Sequence, residues 1–374
     1  MRKTKLLAAV LALLLCMAGC AGREAPEAPD SSGASRPASK PEPEPSSSQV
    51  EEVVQPLSFD IRPLPAEQLL ALSEDGFGWT GMGVPELRAE WVDANRLLFF
   101  SYNTDPVEEI SDCRIFAYDI AAGQMTLLVD DSFPDLYPEV FFRDGTPYVT
   151  FVAKDAVTLK LDLGAGSYER MKGNVWDLSP QGLFLTMLWG KGDVTIRDGL
   201  DQERIRSTFR VEPEETFVSW SPDGELLAFQ VQNTSRVSVY DTKGEKVREF
   251  AGQLWQWDWC QTPGYLTYAP PAGQQNHRML LDLREGTETA LPPGPEGSEL
   301  LLREPEFSLL NSGGASILLD HRTGEQIPLG LGNLFFAVYH PDTGAIMAAE
   351  RRQDQDGWEE WLEGYLIRPE RRGE

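Results

Sequence analysis

Thr216-Phe217-Val218-Ser219-Trp220-Ser221-Pro222-Asp223-Gly224-Glu225-Leu226-Leu227-Ala228-Phe229-Gln230 is the stretch from which the rest of the chain can be read. Two apolar runs flank a Pro-Asp-Gly turn, the pattern of two strands joined by a tight connection. Two more strands follow, Arg236-Val237-Ser238-Val239-Tyr240 and Lys246-Val247-Arg248-Glu249-Phe250, with Lys243-Gly244 in the turn between them. The unit is therefore four strands and three turns.

Neighbouring segments copy this plan. Asn174–Leu188 is followed by Asp193–Gly199 and Arg204–Phe209, and Leu254–Pro270 by His277–Gly286 and Glu288–Pro293. Weaker copies lie at Ala89–Asn103 with Cys113–Gly123, at Glu139–Ala153 with Thr158–Gly166, at Glu306–Glu325 and at Leu334–Glu350. The first-turn glycine or its equivalent falls near positions 94, 145, 182, 224, 264, 313 and 344. Tandem four-stranded units of roughly 40–50 residues are the signature of a β-propeller, because one blade cannot bury both of its faces and a ring of blades can. The predicted fold is all-β, a single domain over residues 57–374, with seven blades and six as the alternative count. The last unit offers three strands, Leu334–Tyr339, Ala345–Arg351 and Trp361–Ile367, while Leu57–Pro63 belongs to no unit. That N-terminal segment is expected to complete the last blade. Long helical periodicity is nearly absent, and Ala66–Leu72, led by Pro65, is the one short-helix candidate.

The text Trp220–Phe229 resembles the repeat of TolB-type and related WD40-like (PD40) propellers. The match is partial at Leu178-Ser179-Pro180-Gln181-Gly182 and at His340-Pro341-Asp342. The resemblance implies the fold and a tendency to bind proteins, and names no reaction.

Residues 1–19 carry a second kind of information. Arg2, Lys3 and Lys5 precede an apolar run from Leu6 to Leu15, and small residues follow, which is the order of a signal peptide. The ending Met17-Ala18-Gly19-Cys20 resembles the lipobox of bacterial lipoproteins. In that family the cysteine is acylated and becomes the mature N-terminus, so the resemblance implies lipidation of Cys20 and cleavage before it. Residues 20–56 contain no aromatic residue and are rich in Pro, Ser and Glu, as in Lys40–Ser48. Such a composition buries too little apolar surface to offset its ordering entropy and is expected to be a disordered tether.

The expected placement is thus a membrane held through the lipid on Cys20, on the extracytoplasmic side of a bacterial envelope. The chain has 33 Lys+Arg against 59 Asp+Glu, a formal charge of −26. Three of the cations lie in residues 1–19, so their removal takes the charge to −29. Such acidity repels polyanions and excludes nucleic acid as a partner. The expected partner is another envelope protein or a peptide, met by a monomer.

No G-x-S-x-G, H-E-x-x-H or G-x-x-x-x-G-K occurs. The Ser-Pro-Asp-Gly text recurs at equivalent blade positions and reads as a structural turn. His277, His321 and His340 sit at or near turns and read as scattered residues; no metal or other cofactor is expected. Asp354-Gln355-Asp356-Gly357 opens like a calcium loop but lacks its closing ligand, so it reads as an acidic hairpin turn. Trp255, Trp257 and Trp259 share one strand face and are expected in interblade core, whereas Trp358 and Trp361 are the candidates for exposed contacts. Cys113 and Cys260 lie in different units and are expected to be buried thiols. The composite reading is a lipid-anchored protein-binding or scaffold module. The alternatives are a propeller enzyme acting on glycans or lactones at the axial channel, or a small-ligand sensor.

Overall fold

The strands follow from where apolar residues fall. In Leu226–Val231 every residue after the first is buried, and Thr146–Phe151 repeats this pattern. A strand buried on both faces has to be sandwiched between neighbouring sheets. By contrast, Ser167–Lys172 and Lys246–Ala251 keep most of their residues exposed or half-exposed, as suits the rim of a sheet.

The computed structural model describes residues 57–64, 86–105, 110–133, 139–151, 157–172, 178–188, 190–213, 215–231, 234–253, 256–271, 277–353 and 360–371. All fall within one compact unit, Val53–Glu374, and they form strands and turns without a helix. The helix expected over Ala66–Leu72 lies outside them.

Strand β1 (Leu57–Pro63) is the first element among the described residues. The first blade follows as β2 (Glu86–Asp93), β3 (Arg96–Asp105), β4 (Ile110–Asp119) and β5 (Gln124–Phe133). The second is β6 (Glu139–Arg143), β7 (Thr146–Phe151), β8 (Val157–Asp162) and β9 (Ser167–Lys172). The third shows β10 (Leu183–Leu188), β11 (Asp193–Asp198) and β12 (Ile205–Arg210); residues 173–177, where its first strand is expected, are not described. The fourth is β13 (Glu215–Trp220), β14 (Leu226–Val231), β15 (Arg236–Asp241) and β16 (Lys246–Ala251). The fifth is β17 (Trp257–Trp259), β18 (Tyr265–Tyr268), β19 (Met279–Asp282) and β20 (Thr287–Ala290). The sixth is β21 (Glu299–Arg303), β22 (Phe307–Ser312), β23 (Ala315–Asp320) and β24 (Gln326–Pro328). The seventh is β25 (Leu334–His340), β26 (Ala345–Gln353) and β27 (Glu360–Arg371).

Each blade is an antiparallel sheet in chain order except the last, whose order is β1-β27-β26-β25. Leu57 pairs with Arg371 and Pro63 with Tyr365, so the N-terminal strand completes the seventh blade as expected. The fold is a seven-bladed β-propeller. One detail differs from the sequence reading. Gly313-Gly314 joins β22 to β23, the second turn of its blade, and the first turn is Glu304-Pro305-Glu306. Phe307–Asn311 is buried throughout, which marks β22 as a central strand and makes Leu300–Arg303, overlooked as a strand, the inner one.

The core is divided among the seams between blades. Leu97, Phe99 and Phe116 of the first blade pack with Ala345 and Met347 of the seventh, and Trp91 Nε1 donates to Val338 O at 3.2 Å. Phe133 stacks on Phe151 at 4.1 Å between the first two blades. Leu227 and Phe229 meet Val194 and Ile196 across the third seam, and Ala228 and Phe250 meet Leu266 and Leu281 across the fourth. Between the sixth and seventh, Leu309 and Leu318 pack on Ile346 and Ile367, and Asn311 Nδ2 donates to Leu334 O at 2.8 Å.

Candidate functional site

The seam between the fifth and sixth blades is polar and hollow. Its construction starts on β17, where the two-residue period sends alternate side chains to opposite faces. Trp257 and Trp259 pack against the fourth-blade side, with Trp257 Nε1 donating to Gln230 Oε1 at 2.8 Å. Asp258 and Cys260 therefore take the other face. One end of the seam is closed by Glu304, which is almost fully buried. Its carboxylate accepts the backbone N–H groups of Gln261 and Thr262 at 2.9 Å each and the Thr262 hydroxyl at 2.7 Å. Burial pushes the Glu304 carboxyl up from its ordinary range, and the three bonds work against that rise.

The same seam holds a cavity of about 310 Å³ whose polar wall includes Arg278, Arg303 and Ser308 and whose apolar wall includes Leu291, Leu300 and Leu310. Arg278 precedes β19 and Arg303 ends β21, so the two guanidinium groups come from different blades. Arg278 lies 3.5 Å from Asp258, whose side chain is 67% exposed. Arg303 has no carboxylate within ion-pair distance among the described residues, and its buried NH1 finds no hydrogen-bond acceptor there. Burial, with the Arg278 charge beside it, pulls the Arg303 guanidinium down to about 10. Burial lowers Arg278 as well, against the pull of Asp258.

Ser308 also faces His321, with Oγ 2.8 Å from Nε2. Nδ1 lies 3.1 Å from Pro305 O, which can only accept, so Nδ1 carries the proton and the Ser308 hydroxyl donates to Nε2. The pair has the outline of a nucleophile and its base. Burial, however, pulls His321 down to about 4, far below the range of an effective general base at neutral pH, and Ser308 is only 3% exposed. What the contact does is tie the turn after β23 to β22.

A second basic concavity, of about 320 Å³, includes Arg143, Arg206 and Lys243. Here a single carboxylate stands between the two arginines. Asp198, its side chain 3% exposed, binds Arg206 at 2.6 Å and Arg143 at 3.1 Å. Burial would raise its carboxyl, but Arg206, the Leu200 N–H and Arg143 outweigh burial and hold it below the usual carboxylate value.

The residues singled out from sequence fall as follows. Cys20 and Trp358 lie outside the described residues, as do Trp255 and Asp354–Gly357; Trp361 is in β27, its side chain outside the description. Trp257 and Trp259 are half-buried in interblade core. His277, His321 and His340 occupy the fifth, sixth and seventh blades, and among the described residues no three His, Cys, Asp or Glu side chains are grouped to hold a metal ion. His340 packs edge-on against Trp91 at 5.2 Å. Cys113 and Cys260 are buried free thiols, and burial pushes Cys113 up to about 12. The Ser-Pro turns are structural: Ser221 Oγ accepts Leu226 N–H at 2.9 Å, and Ser179 Oγ accepts Leu183 N–H at 3.0 Å. Sequence reasoning missed Arg278 and Arg303. The only signal was an arginine ending the apolar run Leu300-Leu301-Leu302.

No protein-family model and no curated protein sequence matches this chain. Solved structures do resemble it in fold. The crystal structure of the Mitotic Checkpoint Complex aligns over 74% of this chain and 88% of that one, with 13% identity and a TM-score of 0.42. The β-propeller domain of the Trilobed protease from Pyrococcus furiosus aligns over 71% and 91%, with 10% identity and a TM-score of 0.46. The Dos1 propeller aligns over 72% and 75%, with 10% identity and a TM-score of 0.39.

Proposed function

We propose that this chain is a bacterial lipoprotein, held on the extracytoplasmic side of a membrane by lipid on Cys20, whose propeller binds another envelope protein or a peptide. The observation that carries the binding role is the ring itself. Seven blades pack side by side, β1 closes the last blade, and the turns between strands are left as groups a partner can reach. A rigid ring presenting loops is a common form of binding scaffold. The N-terminal run with its Met17-Ala18-Gly19-Cys20 ending and the Pro-, Ser- and Glu-rich residues 20–56 support the anchor and tether. The likeness of Trp220–Phe229 to WD40-like (PD40) repeats supports the same class. Two measurements test the reading. Cys20→Ser should abolish fatty-acid labelling and move the protein out of the membrane fraction; retention there defeats the anchor. Crosslinking in intact cells should recover the same partner reproducibly, and repeated recovery of none defeats the scaffold role.

A further inference from the structure

Most arginines among the described residues lie beside a carboxylate, the exposed or half-exposed Arg197, Arg204, Arg284 and Arg368 being exceptions. Arg96 is paired with Asp93, Arg114 with Asp130, Arg143 and Arg206 with Asp198, Arg236 with Glu212 and Arg322 with Glu306. That is what a chain with 59 acids and 33 bases should show. The cleft between the fifth and sixth blades departs from this, since Arg278 meets only the largely exposed Asp258 and Arg303, its NH1 buried, meets no carboxylate within ion-pair distance among the described residues. Residues 272–276, which lead into Arg278, are Ala-Gly-Gln-Gln-Asn and bring no carboxylate. Glu296 and Glu299, in and after the loop over the cleft, are exposed and form no ion pair with either arginine. An uncompensated cation facing a partly enclosed apolar wall is costly, and an anion seated beside it removes the cost.

We infer that this cleft is a binding site for a small organic carboxylate with a short apolar body. Two guanidinium groups less one carboxylate leave a net charge of +1, which suits a monoanion better than a phosphate dianion. A guanidinium can hold a carboxylate through two N–H donors, and both Arg278 and Arg303 line the cleft. Leu291, Leu300 and Leu310 provide the apolar wall. The volume of about 310 Å³ has room for about ten water-sized groups, enough for a chain of several carbons beyond the carboxylate. The Ser308 hydroxyl is already committed to His321, so it holds the wall in place and leaves the charge recognition to the arginines. This site is separate from the partner-binding reading and does not depend on it.

Hexanoate is the probe. Titration calorimetry on the purified full chain should show saturable one-to-one binding of hexanoate in the millimolar range or tighter. Hexanamide, of the same shape without the charge, should bind at least tenfold more weakly, and inorganic phosphate more weakly than hexanoate. Arg303→Leu and Arg278→Leu should each cost tenfold or more in affinity, and Arg303→Lys less than Arg303→Leu. Because Arg303→Leu removes a buried unpaired charge, its melting temperature should match or exceed that of the parent, so lost binding cannot be put down to misfolding. Unchanged hexanoate binding in Arg303→Leu overturns the inference. So does tighter binding of phosphate. A lowered melting temperature in Arg303→Leu with no hexanoate binding by the parent makes the arginine structural and overturns it too.

Discussion

Gly182 and Gly145 both sit at φ +73° in the first turn of a blade, yet their surroundings differ. A Cβ on Gly145 would meet nothing within 4 Å, whereas one on Gly182 would fall 2.4 Å from the Phe141 ring of the preceding blade. Gly145→Ala should therefore cost about 1 kcal/mol, the strain of a left-handed alanine. Gly182→Ala should cost about 3 kcal/mol, since the ring must also be displaced from a packed seam. Urea unfolding of the two variants reads the difference, and equal losses would show that Phe141 moves aside freely. The need for glycine at both turns was legible from the strand-turn-strand text. The ring against one of them was not, because Phe141 is about forty positions away and reaches Gly182 only across a seam.

At the scale of the element, one device recurs that the strand pattern left unmarked. The third strand of each of the first six blades ends in an aspartate whose Oδ1 accepts a backbone N–H of the following turn. Ala122 donates to Asp119 at 2.8 Å, Gly164 to Asp162 at 3.0 Å and Leu200 to Asp198 at 3.0 Å. Lys243 donates to Asp241 at 2.9 Å, Arg284 to Asp282 at 2.8 Å and Arg322 to Asp320 at 2.8 Å. These are Asx turns, and they end the strand where the chain must reverse. The seventh blade needs none, because its fourth strand arrives from the other end of the chain.

Asp198 adds Arg143 of the second blade and Arg206 of its own, so one side chain serves a turn and a seam at once. Asp198→Asn should destabilise the protein by about 2 kcal/mol at neutral pH, the figure being held down by the partial exposure of both arginines. Its folded pKa lies below the ordinary carboxylate value. The ionised side chain therefore contributes its full stabilisation above about pH 4, and that contribution fades as the pH falls through the folded pKa. Unfolding free energies of parent and variant should accordingly draw together as the pH falls below about 4 and through the folded pKa, and a gap that persists unchanged would show that the charge is not what stabilises.

For the whole molecule, closure is the decisive event. Leu57, Phe59 and Ile61 of β1 pack into the cluster that joins the sixth and seventh blades, and β1 pairs with β27 along its full length. Deleting residues 57–63 should cost roughly 4–6 kcal/mol of apolar burial and lower the melting temperature by about 10 °C or more; an unchanged melt would defeat the closing role of β1. The tandem four-stranded unit, most strand positions and turns and the closing strand were determined by the sequence, which left the blade count at seven or six. They rest on two-residue alternation and turn chemistry, which act between residues close in the chain, and on the repetition of both. The sixth blade was misaligned by one strand because Leu300–Arg303, bounded by polar loop residues, is too short to show its period beside the stronger run of β22. The pairing of Arg278 with Arg303, the enclosure of Asp198 and the clamp made by Glu304 were decided only by the tertiary structure. Each joins residues of different blades, and what stands opposite what across a seam depends on how two twisted sheets dock, which no spacing within a repeat encodes.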